Sequence, residues 1–210
     1  MAGAAAVLTD DTALSRIDRR FYTLERGLAL VSGLAVFSLM VMAVISVTGR
    51  NLFNQPLPGY VDWIEQAMPL IAFMGVSYAM RDGGHIRMDI VVGALKGRVL
   101  WLVELITTLA VLGLVILLIW GTWAHFSRSF DFGSPLWSRD SSMDIALPLW
   151  PAKLLAPVAF SVLALRLCLQ VWGYGRALIT GTDAPVAVPL VIDAATQARM
   201  EAEQLSGRDI

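Results

Sequence analysis

Two ionisable side chains interrupt otherwise apolar stretches of the sequence, Glu104 within residues 99–126 and Arg166 within residues 154–172. A charge at the centre of a hydrocarbon layer costs about 2.5–3.5 kcal/mol on insertion scales, so each group needs a counter-ion, water or a route to the membrane surface. Glu104 lies five residues, about 8 Å, from the start of its stretch, and Arg166 lies six residues, about 9 Å, from the end of its own. Consecutive helices pack antiparallel by default, so the two side chains would lie at similar depths in the membrane. This predicts an ion pair between Glu104 and Arg166. Snorkelling of Arg166 to lipid phosphates, contact with a partner protein and a role in transport are the alternatives.

Arg50 and Glu65 form a second candidate pair, at the edges of apolar stretches. Water is close to both positions and exposed ion pairs contribute little, so two solvated charges are the alternative. Gly75 and Ala79 lie one helical turn apart and would form a face of small residues that allows another helix to pack closely.

The residue types that carry most catalysis are scarce. There is one cysteine, Cys168, and there are two histidines, His85 and His125, in different segments, so an internal disulfide, a CxxC site and a haem held by paired histidines are not expected. No P-loop, GxSxG, HExxH or GxGxxG pattern occurs. The sequence therefore predicts no enzyme activity, no cofactor and no metal site, and its net charge of -1 argues against a nucleic-acid partner.

The elements that must position these groups are long apolar helices. Of the 210 residues, 57% are hydrophobic and 16% are charged, a composition outside the usual range of soluble proteins. Residues 27–48 contain no charged side chain and form a helix of about 33 Å, enough to cross a hydrocarbon core of about 30 Å. Residues 99–126 are long enough to span at a tilt, and residues 154–172 form another span that Pro157 should kink.

Residues 60–80 are predicted as the remaining span. Their most apolar part, 67–80, covers only about 21 Å, so the helix reaches spanning length only if it begins after the turn signal at 56–59 and includes Trp63 as an interfacial anchor. Pro69 would kink this helix. The alternative is an interfacial helix that turns inward near Pro69. The predicted fold class is all-α, an integral membrane protein with four transmembrane helices.

Lysine and arginine are unevenly distributed over the flanks of these spans. Four arginines precede the first span and four basic residues lie between the second and third, whereas the loop after the first span has Arg50 alone. The loop between the third and fourth spans has three basic residues beside three aspartates. Since basic flanks stay in the cytoplasm, both termini are predicted to be cytoplasmic. The basic residues of the larger sets are Arg16, Arg19, Arg20 and Arg26; Arg81, Arg87, Lys96 and Arg98; and Arg128, Arg139 and Lys153.

The predicted organisation is a cytoplasmic N-terminal segment at 1–26, a four-helix membrane domain at 27–177 and a polar cytoplasmic tail at 178–210. No internal repeat is visible, which argues against an autonomous transporter built from inverted repeats. The first segment is predicted to form an amphipathic helix on the inner membrane surface, and a solvated extension of the first span is the alternative. Its apolar residues recur at helical spacing opposite the arginines and are Ile17, Phe21, Leu24 and Leu28.

Four segments of this sequence occur together in one known family. They are residues 49–53, GRNLF; residues 62–65, DWIE, with Gly75 after them; residues 78–89, YAMRDGGHIRMD, which contain Arg81, His85 and Asp89; and residues 142–157, which begin at Ser142 and end at Pro157. In this order on four spans they resemble the small-permease signature of tripartite ATP-independent periplasmic (TRAP) transporters, the DctQ type. The resemblance covers residues 27–177.

The resemblance implies a non-catalytic subunit in the bacterial inner membrane. Small subunits of this family join a large membrane subunit, which carries the sodium and substrate sites, while a periplasmic binding protein captures the substrate, commonly an organic acid. The small subunit is expected to brace the large one stably, to meet the binding protein transiently and to contact the lipid bilayer. His85 is expected to be a hydrogen-bonding loop residue and Asp89 a cap. The structural or subunit-interface candidates are Arg50, Trp63, Glu65, Gly75, Arg81, His85, Asp89, Glu104 and Arg166.

An independent four-helix channel, transporter or assembly factor is the alternative function, and a membrane enzyme comes third. A channel needs polar residues along one face through the whole bilayer, and an enzyme needs clustered nucleophiles or ligands. The predicted spans contain only scattered polar side chains. Neither alternative is therefore favoured by the sequence.

Overall fold

The computed structural model of the chain describes residues 12–81 and 98–181, together with Val7 and Val188. Apart from isolated β-bridge residues, such as those that pair Phe130 with Ser138 and Ser141 with Pro148, the regular secondary structure of this part is helical, which confirms the all-α fold class. The helices are α1 (Ala13–Phe53), α2 (Tyr60–Phe73), α3 (Val76–Arg81), α4 (Arg98–Ser129) and α5 (Trp150–Thr180), with a 3-10 turn at Pro135–Trp137.

Three helices in the described part are long and apolar enough to cross a membrane. They are α1 with 41 residues, α4 with 32 and α5 with 31. The predicted spans 27–48, 99–126 and 154–172 each lie inside one of these helices. A multi-pass membrane protein is therefore confirmed.

The predicted span 60–80 is not one unbroken helix. It begins at Tyr60, directly after the turn signal, but α2 ends at Phe73 and α3 starts only at Val76. Pro69 lies inside α2 and removes one backbone hydrogen bond, and glycine at position 75 costs about 1 kcal/mol relative to alanine in a helix interior. The interruption thus lies beyond Pro69 and includes Gly75, and a membrane span over 60–80 stays a prediction.

The N-terminal segment continues into the first span without a break, because α1 is helical from Ala13 onwards. Asp18 and Glu25 are fully buried on this helix, whereas Ile17 and Leu24 are 44% and 48% exposed. The packed face of the segment is therefore the one that carries Asp18 and Glu25, whereas its four arginines are exposed and Phe21 and Leu28 are half-buried.

Contacts along the chain define two compact units. Within the described residues, the first unit comprises 12–20, 79–81, 98–111 and 166–181 with Val7 and Val188, and the second comprises 21–78 and 112–165. The first unit has an apolar core in which Trp101 stacks on Tyr174, with ring centroids 6.2 Å apart. Its other buried members are Ala177 and Val188.

In the second unit, helices α1, α2 and α5 contact one another through small polar and aromatic side chains. Ser32 Oγ of α1 donates a hydrogen bond to the Ile71 carbonyl of α2 at 3.1 Å. Phe73 of α2 packs against Phe160 of α5, with ring centroids 5.0 Å apart. Together these contacts join the three helices within this unit.

The end of α1 explains one glycine of the GRNLF segment. The backbone turns at Asn54, which has a left-handed φ of 55°, and the Gln55 N–H then donates to the Gly49 carbonyl at 3.2 Å. A Cβ on residue 49 would lie 2.7 Å from the Gln55 carbonyl oxygen. Because no real Cβ tolerates that approach to backbone, this helix end requires glycine.

Candidate functional site

A buried carboxylate in the first unit joins three helices. Asp18 of α1 accepts a hydrogen bond from Arg81 Nη2 of α3 at 2.9 Å and a short one from Arg166 Nη1 of α5. The side chains of Asp18 and Arg166 have no exposed surface, and that of Arg81 is 11% exposed. We call Asp18, Arg81 and Arg166 the Asp18 cluster. Since charge-assisted hydrogen bonds away from water are strong and directional, this cluster fixes the positions of the three helix segments relative to one another.

The structure thus brings together two of the predicted site residues, Arg81 and Arg166, on an acid that the sequence analysis did not select. One signal was available: Asp18 and Glu25 lie seven residues, two helical turns, apart on one side of α1. Two acids on one side of a basic helix indicate a buried polar stripe.

Glu104 is also buried in the first unit, at 6% exposure. Its carbonyl oxygen accepts a hydrogen bond from Thr108 Oγ1 at 2.7 Å, which keeps that hydroxyl within the helix. The ion pair between Glu104 and Arg166 stays a prediction, and Asp18 is the acid whose bond to Arg166 the structure shows.

Glu25 forms another buried polar contact, inside the second unit. The Ser77 hydroxyl of α3 donates a short hydrogen bond to Glu25 Oε1, and both residues are buried. Next to this pair Tyr22 stacks on Tyr78, with centroids 6.0 Å apart. Burying a carboxylate without such a partner would be costly, so Ser77 stabilises the packing of α3 on α1.

A fourth buried acid, Asp62, lies in the first turn of α2. Its Oδ2 accepts hydrogen bonds from Ser142 Oγ at 2.6 Å, from the Ile145 N–H at 2.8 Å and from the Asp144 N–H at 3.1 Å. Ser142 Oγ in turn accepts the Leu147 N–H at 2.9 Å. One carboxylate thereby fixes the whole loop 142–147 on the start of α2. We call this arrangement the Asp62 site.

The backbone around the Asp62 site is shaped for this contact. Gly59 caps α2 with a left-handed φ of 71°, and a Cβ there would lie 2.5 Å from Ile145 Cδ1. Ala146 is also left-handed, at φ 53°. Strain of this kind persists only where the surroundings over-determine it, and the hydrogen bonds of Asp62 supply that constraint. The DWIE segment and the segment that begins at Ser142, which both carried the resemblance, therefore meet in space.

Two further acids organise the loop between α4 and α5. A hydrogen bond from the Gly133 N–H, followed by one from Arg139, holds the pKa of Asp131 below its ordinary value. A hydrogen bond from Lys153 Nζ at 2.6 Å, followed by one from Ser129, lowers the pKa of Asp140. Both carboxylates thus stay charged at neutral pH and hold the loop to the helix ends.

The lowered pKa of Asp140 predicts a pH dependence. A group whose pKa falls on folding stabilises the protein above its unfolded pKa, and this contribution is lost as the pH falls through the folded value. We expect Asp140→Asn to lower the melting temperature in detergent at pH 7, and the deficit relative to the native chain to shrink below about pH 4. Asp144→Asn, a change of equal charge on the same loop, is the control. A deficit that stays constant down to pH 3 would contradict the pairing.

The remaining predicted residues lie apart from these clusters. Arg50 and Glu65 are both exposed, and the ion pairs found among the described residues do not include one between them. That agrees with the alternative of two solvated charges. Trp63 is 49% exposed at the start of α2, and a Cβ on Gly75 would meet no atom of the described residues within 4 Å. His85 and Asp89 lie outside the described residues.

The chemistry of these sites is structural. The side chains of Asp18, Glu25 and Asp62 accept hydrogen bonds from donors of their own chain. Residues 12–81 and 98–181 contain no group of three or more His, Cys, Asp or Glu side chains arranged to hold a metal ion. A buried charge held in this way sets the position of helices and loops. These sites therefore indicate a structural role, in which buried charges set the positions of helices and loops.

Comparison with known proteins is consistent with this structural role. Residues 39–175 match the family model of the DctQ component of tripartite ATP-independent periplasmic transporters. The match begins within α1 and ends within α5, so it spans α2, α3, α4 and the Asp62 site. A comparison with curated proteins found no match.

Proposed function

Because this chain belongs to the DctQ family of TRAP transporter components, we propose that it is the small membrane subunit that braces the large one during sodium-coupled uptake of an organic acid. The observation that carries this proposal is the family match over residues 39–175, which includes the buried Asp62 site. In this role the chain itself moves no substrate. A periplasmic binding protein delivers the organic acid, and the large subunit couples its movement to sodium.

The surface of α1 supports a bracing role. Only 6% of the most apolar part of this helix is buried within the chain, and its side chains Leu34, Phe37 and Val44 are more than half exposed. In a membrane such a face meets lipid or another helix, and helices associate there through close packing. Gly75 would add a point of close approach, since a Cβ added to it would meet no atom of the described residues within 4 Å.

Co-purification tests the proposed complex. We expect the chain, extracted in mild detergent, to co-purify with a much larger membrane protein at equal stoichiometry. We expect Gly75→Leu to reduce the recovered partner severalfold, because the larger side chain blocks a close helix contact, while Gly75→Ala keeps it. A native chain that elutes without any larger partner would refute the complex, and equal recovery with Gly75→Leu would exclude Gly75 from the interface.

We further propose that α2 and α3 together form the fourth span, with both termini in the cytoplasm. The basic residues before the first span and after α3 support this orientation. It places the loop between α4 and α5 in the periplasm, on the side where the binding protein arrives. Exposed apolar side chains on that loop, Phe132 at 79% and Met143 at 100%, suit a transient contact there.

Cysteine labelling tests the orientation. In a Cys168→Ser background, Met143→Cys should react with a membrane-impermeant maleimide added to intact cells after outer-membrane permeabilisation. Ile179→Cys is the matched probe, since residue 179 is 81% exposed near the other end of α5, and it should react only after the inner membrane is opened. The reverse pattern of labelling would overturn the proposed topology.

A further inference from the structure

An apolar groove with a volume of about 420 Å³ lies within the second unit, between α2, α4 and α5. Phe73, Leu117 and Ala156 line its inner part, one from each helix. Gly121 lies in its wall on α4, and a Cβ there would meet no atom of the described residues within 4 Å. A volume of this size is typical of a small-molecule site lined by apolar side chains.

The ionisable side chains that line this groove lie toward one end of it. Glu65 lies eight residues before Phe73 on α2, and His125 lies eight residues after Leu117 on α4. At the helical rise each interval is about 12 Å. Lys153 contributes a third polar group near the start of α5. The groove therefore has a charged rim beside the loop of residues 130–149 and an apolar interior, which is the polarity of a single amphiphile.

The charges at the rim select between classes of amphiphile. The Lys153 ammonium has three donors, and Asp140 and Ser129 take two of them at 2.6 Å and 3.2 Å. Glu65 is exposed, with its carboxylate at the same end of the groove. Among the lining residues, Glu65 and Lys153 carry one charge of each sign, and His125 adds an imidazole that can form hydrogen bonds. Such a rim offers both an acceptor for an ammonium and a donor for a phosphate, which together match a zwitterionic head group.

We propose that this groove binds an acyl chain of a zwitterionic phospholipid of the phosphatidylethanolamine type. The chain lies along Phe73, Leu117 and Ala156, the head-group ammonium meets Glu65, and the phosphate accepts from Lys153 or His125. An inserted apolar side chain of a partner helix would leave the charged rim without a matching group. The inference does not depend on the proposed transport function.

Filling the groove tests the proposal. Gly121→Leu should occupy the groove without a clash, since a Cβ there meets no described atom within 4 Å, and leucine favours a helix more than glycine does. Gly113→Leu is the matched control, because residue 113 lies on the same helix, also has no described atom within 4 Å of an added Cβ, and does not line the groove. The full chain, together with whatever membrane partner co-purifies, is analysed by native mass spectrometry after delipidation and incubation with phosphatidylethanolamine.

We expect the native protein and Gly113→Leu to retain the lipid, and Gly121→Leu to retain roughly tenfold less, since the acyl chain loses its apolar walls. Glu65→Gln should reduce the preference for phosphatidylethanolamine over phosphatidylglycerol severalfold, since the neutral amide no longer attracts the ammonium. Equal lipid on all variants would show adventitious lipid only and overturn the proposal. Loss of the protein partner with Gly121→Leu, at unchanged lipid, would assign the groove to a partner side chain instead.

Discussion

Replacing Asp18 by asparagine is expected to destabilise the chain by about 3–5 kcal/mol, because a buried ion pair that loses one partner leaves an uncompensated charge. Asp18 bonds to both Arg81 and Arg166, so the neutral amide would weaken two contacts at once. Arg81→Gln should cost less, since Asp18 then keeps Arg166 and the Arg81 side chain is partly accessible. The order of the two losses distinguishes a shared carboxylate from a simple pair.

The measurement is unfolding of the detergent-solubilised chain by rising SDS, followed by the loss of helical circular dichroism. Arg20→Gln is the matched control, since it removes an exposed charge from the same helix and should change stability by less than about 0.5 kcal/mol. If Asp18→Asn unfolds at the same SDS fraction as Arg20→Gln, the Asp18 cluster does not stabilise the fold.

The same assay decides the predicted contact between Glu104 and Arg166. If they pair, Glu104→Gln or Arg166→Gln alone should cost more than the double change, which would partly restore stability. Arg166→Gln also removes a bond to Asp18, which keeps Arg81, so this part of the loss appears in the double change as well. Additive losses in the cycle would show that Glu104 and Arg166 have separate roles.

The apolar runs of the sequence predicted three of the observed helices well, because hydropathy and helix length are local properties. The start of α2 after Gly59 was equally local, since a glycine that follows prolines in a turn marks a helix boundary. The break between Phe73 and Val76 was not predicted. Pro69 suggested a kink nearby, but whether a weakened helix bends or stops depends on its packing partners, which a single segment does not reveal.

The burial of these acids could not be predicted from the sequence, for a different reason. Asp18 bonds to a residue 148 positions away, and Asp62 to one 80 positions away. Apart from the two-turn spacing of Asp18 and Glu25, no local pattern distinguishes a carboxylate that will be buried by such a contact from one that stays in water. The family resemblance brought the segments around Asp62 and Ser142 to notice, and only the fold showed that one binds the other.

Removing this chain from the reconstituted transporter is expected to abolish uptake. The proposed role is support of the large subunit through a wide apolar surface, which the exposed face of α1 supplies. A membrane protein that loses such a surface exposes its own helices and loses stability. We therefore expect the large subunit alone to be inactive and to unfold at a lower temperature than the complex.

Transport in proteoliposomes tests the central claim most directly. With this chain, the large subunit, the loaded binding protein and an inward sodium gradient, the organic acid should accumulate, and ATP should have no effect. Omitting this chain should reduce uptake to the level of empty proteoliposomes, while this chain without the large subunit should move nothing. Full uptake by the large subunit alone, or transport by this chain alone, would contradict the account.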